Sequence, residues 1–112
     1  MISKSAHHRA VRQMPCVVTR RLPVTLHHCH GGSMTEEDPH LMRGKAQKVS
    51  DYLVIPVVAD LHYGNMGIDG FGGVKGWEEL WGRQTDFLRK VSEHVGYDVV
   101  KLAEEEQCLK RS

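Results

Sequence analysis

Paired cysteines, long apolar runs and net charge are all missing or nearly so in this chain of 112 residues, and each absence removes a class of protein. Cys16, Cys29 and Cys108 form no C-x-x-C pair and leave an odd one over, which fits a reducing compartment better than a disulfide framework. The longest apolar stretches, such as Leu53 to Ala59, fall well short of the roughly 18 to 20 residues needed to cross a bilayer. No membrane segment is expected. No apolar run follows the early basic residues either, so a secretory signal is not expected and the cytoplasm is the expected location. The net charge of +1 conceals a split: residues 1 to 50 carry 8 Lys/Arg against 3 Asp/Glu, while residues 51 to 112 carry 7 against 11. A basic front half suits a phosphate backbone and an acidic back half repels one, so charge alone is a weak pointer to nucleic acid.

What remains is an ordinary globular composition, 40% hydrophobic and 26% charged, at 12.7 kDa, enough for one small domain with one modest core. Residues 1–14 are polar and read as a flexible arm or short helix that contributes little core. Cys16-Val17-Val18 and Val24-Thr25-Leu26 read as two short strands of a hairpin. From Cys29 to Ser50 no apolar period is visible, which predicts a long loop. Tyr52 to Val58 is the most strand-like stretch, with Pro56 confining it to an edge or a strand end. A turn or short helix follows over Ala59 to Tyr63. Six glycines between Gly64 and Gly76 then forbid a regular element until about Trp77. Trp77, Leu80 and Trp81, then Phe87, Leu88, Val91 and Val95, have helical spacing, broken at Gly82; this spacing makes the aromatics core rather than base-stacking platforms. Gly96 is placed as a C-terminal cap and Val99 to Leu109 as a last helix, with Glu104 to Glu106 as its solvated face.

Eight histidines include two adjacent pairs. His7-His8 lies in the polar arm and reads as solvent-exposed and without function. His27-His28 closes an apolar strand and opens a glycine turn, so its two side chains point to opposite faces. One imidazole is then free to bind a metal while the other addresses a different reactant. Asp69 among glycines reads equally as a natural turn former. His30 and His40 read as surface residues of the long loop, with His30 the one within possible reach of a bound phosphate. Cys29 joins a metal site only if its side chain turns to the side of one of the paired histidines.

From Arg9 the chain reads RAVRQMPCVVTRRLPVTLHHCHGG, and from Gly44 it reads GKAQKVSDYLVIPVVADLHYGNMGIDGFGGVKGWEELWG. A Pro-Cys, a strand ending in His-His and Gly, Lys-x-Ser-Asp before a strand containing proline, a helix bearing His and a Gly-rich turn follow in that order over residues 9 to 95. This pattern resembles the phage and prophage HNH endonucleases, the His-Me finger or ββα-metal group, in particular those similar to the Ref recombination-enhancement nuclease. The resemblance implies a small α+β fold: a ββα-metal core with a short hairpin, a long loop and C-terminal helices. It implies a nuclease domain over 15–96, followed by a helical tail over 97–112. It further implies hydrolysis of DNA phosphodiester bonds in phage or prophage DNA processing inside a bacterial host cell.

Position by position, the resemblance makes His27 and His62 metal ligands and His28 the general base. Asp51 stands where the family's Asn or Asp orients that base. The chain departs from the family at Asp69, where relatives carry a histidine ligand; at Leu61, where many carry a second histidine; and at Thr19, where a C-x-x-C partner of Cys16 would stand, which puts a structural zinc in doubt. A His/His/Asp set suits one divalent ion, Mg or Mn, with Zn or Ni as alternatives. A neutral imidazole accepts a proton from water near neutral pH, and a divalent ion stabilises charge on the departing oxygen. Arg20, Arg21, Arg43, Lys45 and Lys48 are the candidates for contact with DNA phosphates, which would weaken with salt. The three departures leave two other readings: a non-catalytic DNA- or metal-binding accessory protein on the same scaffold, or a plain structural domain. A homodimer is compatible with so small a chain, though no feature demands one.

Overall fold

Ser3 opens the first element in the computed structural model, which describes residues 1–42, 49–70 and 73–111. Its Oγ accepts the Ala6 N–H at 3.1 Å, capping helix α1 (Lys4–Arg12), and Arg9 and Arg12 complement the negative end of the helix dipole. Of the two readings for this segment the short helix is the one that forms, and it contributes to the core after all. His7 and Val11, four apart on one helical face, are fully buried, and Met14 follows them into the core. The sequence hides this because one buried position is a histidine. Its ring satisfies both nitrogens: Nε2 donates to the Tyr52 carbonyl at 3.0 Å, which leaves Nδ1 to accept from the Tyr97 hydroxyl at 2.8 Å.

Two strands form one antiparallel sheet, β1 (Thr25–His28) and β2 (Val54–Val57), with Thr25 opposite Val57, His27 opposite Ile55 and His28 opposite Val54. The hairpin expected between residues 16–18 and 24–26 does not form. Residues 16–18 instead enter a turn in which the Cys16 N–H donates to the Arg21 carbonyl and the Val17 N–H to the Pro56 carbonyl, both at 3.0 Å. Val17 thus covers the edge of β2 where Pro56 has no N–H to offer a further strand. All four residues of β2 are buried, in keeping with a continuous apolar run rather than an alternating one.

The stretch after β1 is less irregular than its composition suggests. Its described part contains α2 (Gly32–Glu37) and a 3-10 turn (Pro39–Leu41), anchored by the fully buried Met34. Helix α3 (Ala59–Tyr63) follows β2 directly. Then come α4 (Gly73–Trp81), starting four residues before the expected Trp77; α5 (Gln84–Val95); and α6 (Val99–Arg111). Gly82 separates α4 from α5, and Gly96 ends α5 at φ 86°, a left-handed cap where a side chain is disfavoured.

Helices α1 and α5 pack on β2, and α6 packs on α5. The buried cluster passes through Val11, Ile55, Leu88, Val91, Val99 and Ala103, so one core crosses both expected boundaries, after residue 14 and after residue 96. The architecture is a small α+β fold. No described helix is long and apolar enough to cross a membrane.

Because α1 is part of this core, Val11→Ala should lower the unfolding free energy by about 1–3 kcal/mol. A loss below about 0.5 kcal/mol in urea denaturation would mean that the helix is peripheral. Burial also holds the His7 imidazole below its usual value near 6.5, so the unfolded chain binds that proton more readily than the folded one. Its contribution to stability is complete above about pH 6.5 and is lost as the pH falls below it. Denaturation midpoints should begin to fall below about pH 6.5, before the carboxylates titrate near 4, and His7→Gln should flatten part of that fall.

Candidate functional site

Strand alternation decides the site. His27 points inward and is fully buried, whereas the next residue, His28, is half-exposed on the other face. Thr25 shares the inward face of His27, two residues earlier. Helix α3, which packs against β1, brings the buried His62 to the same place. Asp69 arrives by a backbone return: the Ile68 N–H donates to the Leu61 carbonyl and the Asp69 N–H to the His62 carbonyl, each at 2.9 Å. A Cβ at Gly67 would lie 2.7 Å from the His62 carbonyl, and one at Gly70 would collide with the Gly64 carbonyl. Those two glycines allow the return, and the buried Ile68 pins it.

Around Asp69 the hydrogen bonds fix where the imidazole protons are. Gln84 is oriented by a backbone peptide: its Nε2 donates to the His30 carbonyl at 2.9 Å and its Oε1 accepts the His30 N–H at 3.1 Å. That Oε1 also faces His27 Nε2 at 3.0 Å, so Nε2 carries the proton and Nδ1 keeps a lone pair. Thr25 works likewise. Its hydroxyl proton goes to the Val57 carbonyl at 2.8 Å, so at 2.7 Å it can only accept from His62 Nδ1, and Nε2 keeps the lone pair. Both lone pairs meet one atom: Asp69 Oδ2 lies 3.1 Å from His27 Nδ1 and 2.8 Å from His62 Nε2.

Burial lowers the affinity of both His27 and His62 for a proton, in spite of the nearby carboxylate. Burial works to raise the Asp69 carboxyl, yet it lies below its usual range, and the hydrogen bond from His30 Nε2 to Oδ1, at 3.1 Å, is the leading cause that lowers it. Two neutral nitrogens and a carboxylate oxygen thus converge without a proton to share among them. A divalent cation fits that set. An octahedral ion with bonds of about 2.1 Å separates neighbouring ligand atoms by roughly 3.0 Å, and Asp69 Oδ2 stands 3.1 and 2.8 Å from the two nitrogens. Gln84 and Thr25 hold the outer nitrogens of the two rings, as partners that orient metal-binding histidines do.

On the opposite face, His28 Nε2 lies 2.8 Å from Asp51 Oδ1, and that bond holds the Asp51 carboxyl below its usual range. With its proton directed at Asp51, His28 presents Nδ1 as the basic nitrogen. Helix α1 grips Asp51 with two residues one turn apart: His8 Nε2 donates to its backbone carbonyl at 2.7 Å, and Lys4 Nζ stands 3.8 Å from Oδ2. His28 is near enough to His62 that charge on it lowers the proton affinity of His62. The two faces are therefore parts of one electrostatic neighbourhood.

The five residues singled out for metal binding and catalysis fall into these two groups, His27 with His62 and Asp69, and His28 with Asp51. Arg20 and Arg21 are exposed on the turn before β1. Arg43, Lys45 and Lys48 lie outside the described residues. Cys29 is buried in the core, where burial pushes its thiol far up, and it takes no part. The sequence reading missed Thr25, Gln84 and His8. For Thr25 a signal existed, since it precedes His27 by one period of the strand; for Gln84, distant in sequence and flanked by charge, none did. No protein-family model, no curated protein and no solved structure matches the chain.

Thr25→Val keeps the shape of the side chain and removes the acceptor for His62 Nδ1. Calorimetric titration with Mn²⁺ should show affinity reduced about 10- to 100-fold, and Thr25→Ser should restore it. Equal affinities in all three proteins would sink the assignment of the His62 tautomer.

Proposed function

We propose that this protein is a metal-dependent endonuclease of the His-Me finger type, hydrolysing DNA phosphodiester bonds in phage or prophage DNA processing. In this reading β1, β2 and α3 are the ββα core. The observation that carries it is the divergence of two adjacent side chains, His27 toward His62 and Asp69 and His28 toward Asp51. Hydrolysis of a phosphodiester needs these two capacities side by side, a cation site and a basic nitrogen that the cation does not consume.

His27, His62 and Asp69 would hold one divalent ion, Mg or Mn, with Zn or Ni as alternatives. When bound, it supplies electrostatic stabilisation of the negative charge that develops on the departing 3′ oxygen. His28 Nδ1 takes the proton of the water whose oxygen forms the new bond to phosphorus as the bond to the 3′ oxygen breaks. Asp51 holds the other nitrogen's proton, which orients the ring and stabilises the imidazolium as it forms. Arg20 and Arg21 contact backbone phosphates; Arg21 lines a cleft shared with Asp60 and Leu61 of α3, next to His62.

Nicking of supercoiled plasmid in Mn²⁺ or Mg²⁺ tests this reading. His28→Ala should slow nicking by about 10²- to 10⁴-fold while Mn²⁺ binding persists. DNA binding without cleavage in any of Mg²⁺, Mn²⁺, Ni²⁺ or Zn²⁺ would instead mark an accessory protein on the same scaffold.

A further inference from the structure

We infer that His8, His28 and Asp51 form a second site for a divalent transition-metal ion, which overlaps the proposed base. One donor atom from each of the three residues lies within 4.8 Å of one from each of the others. They come from three separate segments, α1, β1 and the turn that precedes β2. Two of their relations are already tight: His28 Nε2 is 2.8 Å from Asp51 Oδ1, and the His8 and His28 rings meet edge to face with centroids 6.0 Å apart.

Proton positions favour a ligand here. The Asp51 carbonyl can only accept, so His8 Nε2 carries the hydrogen and Nδ1 keeps a lone pair. The proton between His28 and Asp51 sits where an ion would bridge nitrogen and carboxylate, and the 2.8 Å separation equals that between His62 Nε2 and Asp69 Oδ2. Among the described residues, Lys4 is the cation that pairs with the group. It is drawn to Glu106 at 2.7 Å and stands off from Asp51 at 3.8 Å, so the carboxylate keeps its charge for an incoming ion. All three residues are partly exposed, which gives an ion in solution direct access.

Two imidazoles and one carboxylate bind borderline ions such as Zn²⁺, Ni²⁺ or Co²⁺ more tightly than Mg²⁺, which favours oxygen ligands and keeps its water, and this order of preference is shared with His27, His62 and Asp69, which offer the same donors. An ion there takes up the imidazole that the proposed reaction uses as its base. On that reading the site is inhibitory: scarce transition metal leaves the protein competent, and excess shuts it off. This consequence rests on the nuclease reading, but the site itself does not.

Competition for Zn²⁺ between the full chain and a chromophoric chelator separates the two. The unmodified protein should bind two equivalents, His8→Ala one and His62→Ala one. Alanine at position 8 favours the helix, so a folding defect is not expected, and Asp51→Asn gives an independent second variant that should also lose one equivalent. One equivalent in the unmodified protein, retained in His8→Ala and lost in His62→Ala, would overturn this site and leave the nuclease reading intact. One equivalent lost in His8→Ala and retained in His62→Ala would uphold this site and overturn the other. Two equivalents in both His8→Ala and Asp51→Asn would overturn it as well.

Discussion

Asp69 Oδ2 faces the lone pairs of two neutral, buried imidazoles, and most of the local architecture serves that encounter. Three electron-rich atoms repel one another unless something positive stands between them, and burial discourages the simplest remedy, protonation of a ring. Each element around the site contributes to holding the arrangement. β1 provides His27 and Thr25 on one face, α3 provides His62, and the glycine turn folds Asp69 back onto α3. Gln84, at the start of α5, fixes His27, and is itself fixed by Glu78 of α4, whose Oε2 accepts the Gln84 N–H at 2.7 Å. Glu78 also accepts the Ser33 N–H at 2.9 Å, which ties α2 to the same support.

The other face of β1 depends on the same constraint in a different way. A strand cannot send two successive side chains to one side, so the residue after the buried His27 must look outward, and His28 finds Asp51 there. Helix α1 then becomes part of the site as well as of the core. His7 anchors it inward to Tyr52 and Tyr97, and the neighbouring His8 reaches the backbone of Asp51. The acidic back half of the sequence takes on a similar internal role: Glu106 holds Lys4, Glu104 holds His40 at 2.9 Å, and Glu78 organises Gln84. Glu106 with Lys4 and Glu104 with His40 join the two halves of the chain, and Arg83 and Arg89 of the back half pair in turn with Glu36 and Glu37 of the front.

Period-based features were legible in the sequence. The strand of β2, the helical spacing through Phe87 and Val91, the break at Gly82 and the cap at Gly96 all follow from local patterns that tertiary structure did not override. The opposite orientation of His27 and His28 was legible for the same reason. What was hidden required partners far away in sequence. α1 looks too polar to be buried because His7 counts as polar until the Tyr97 hydroxyl and the Tyr52 carbonyl satisfy it. Residues 16–18 look like a strand until Val17 is seen to spend its N–H on Pro56. Gln84 carries no local mark of its role, since only its contacts with His30 and His27 define it.

The claim on which the account rests is that a cation completes the set of His27, His62 and Asp69. Anomalous diffraction from crystals soaked in Mn²⁺ tests it most directly. The account predicts a peak bonded to His27 Nδ1, His62 Nε2 and Asp69 Oδ2 at about 2.0–2.3 Å, with Gln84 and Thr25 still hydrogen-bonded to the outer nitrogens of the two rings. Density showing no ion there at saturating Mn²⁺, or rings turned so that the other nitrogens face Asp69, would contradict it.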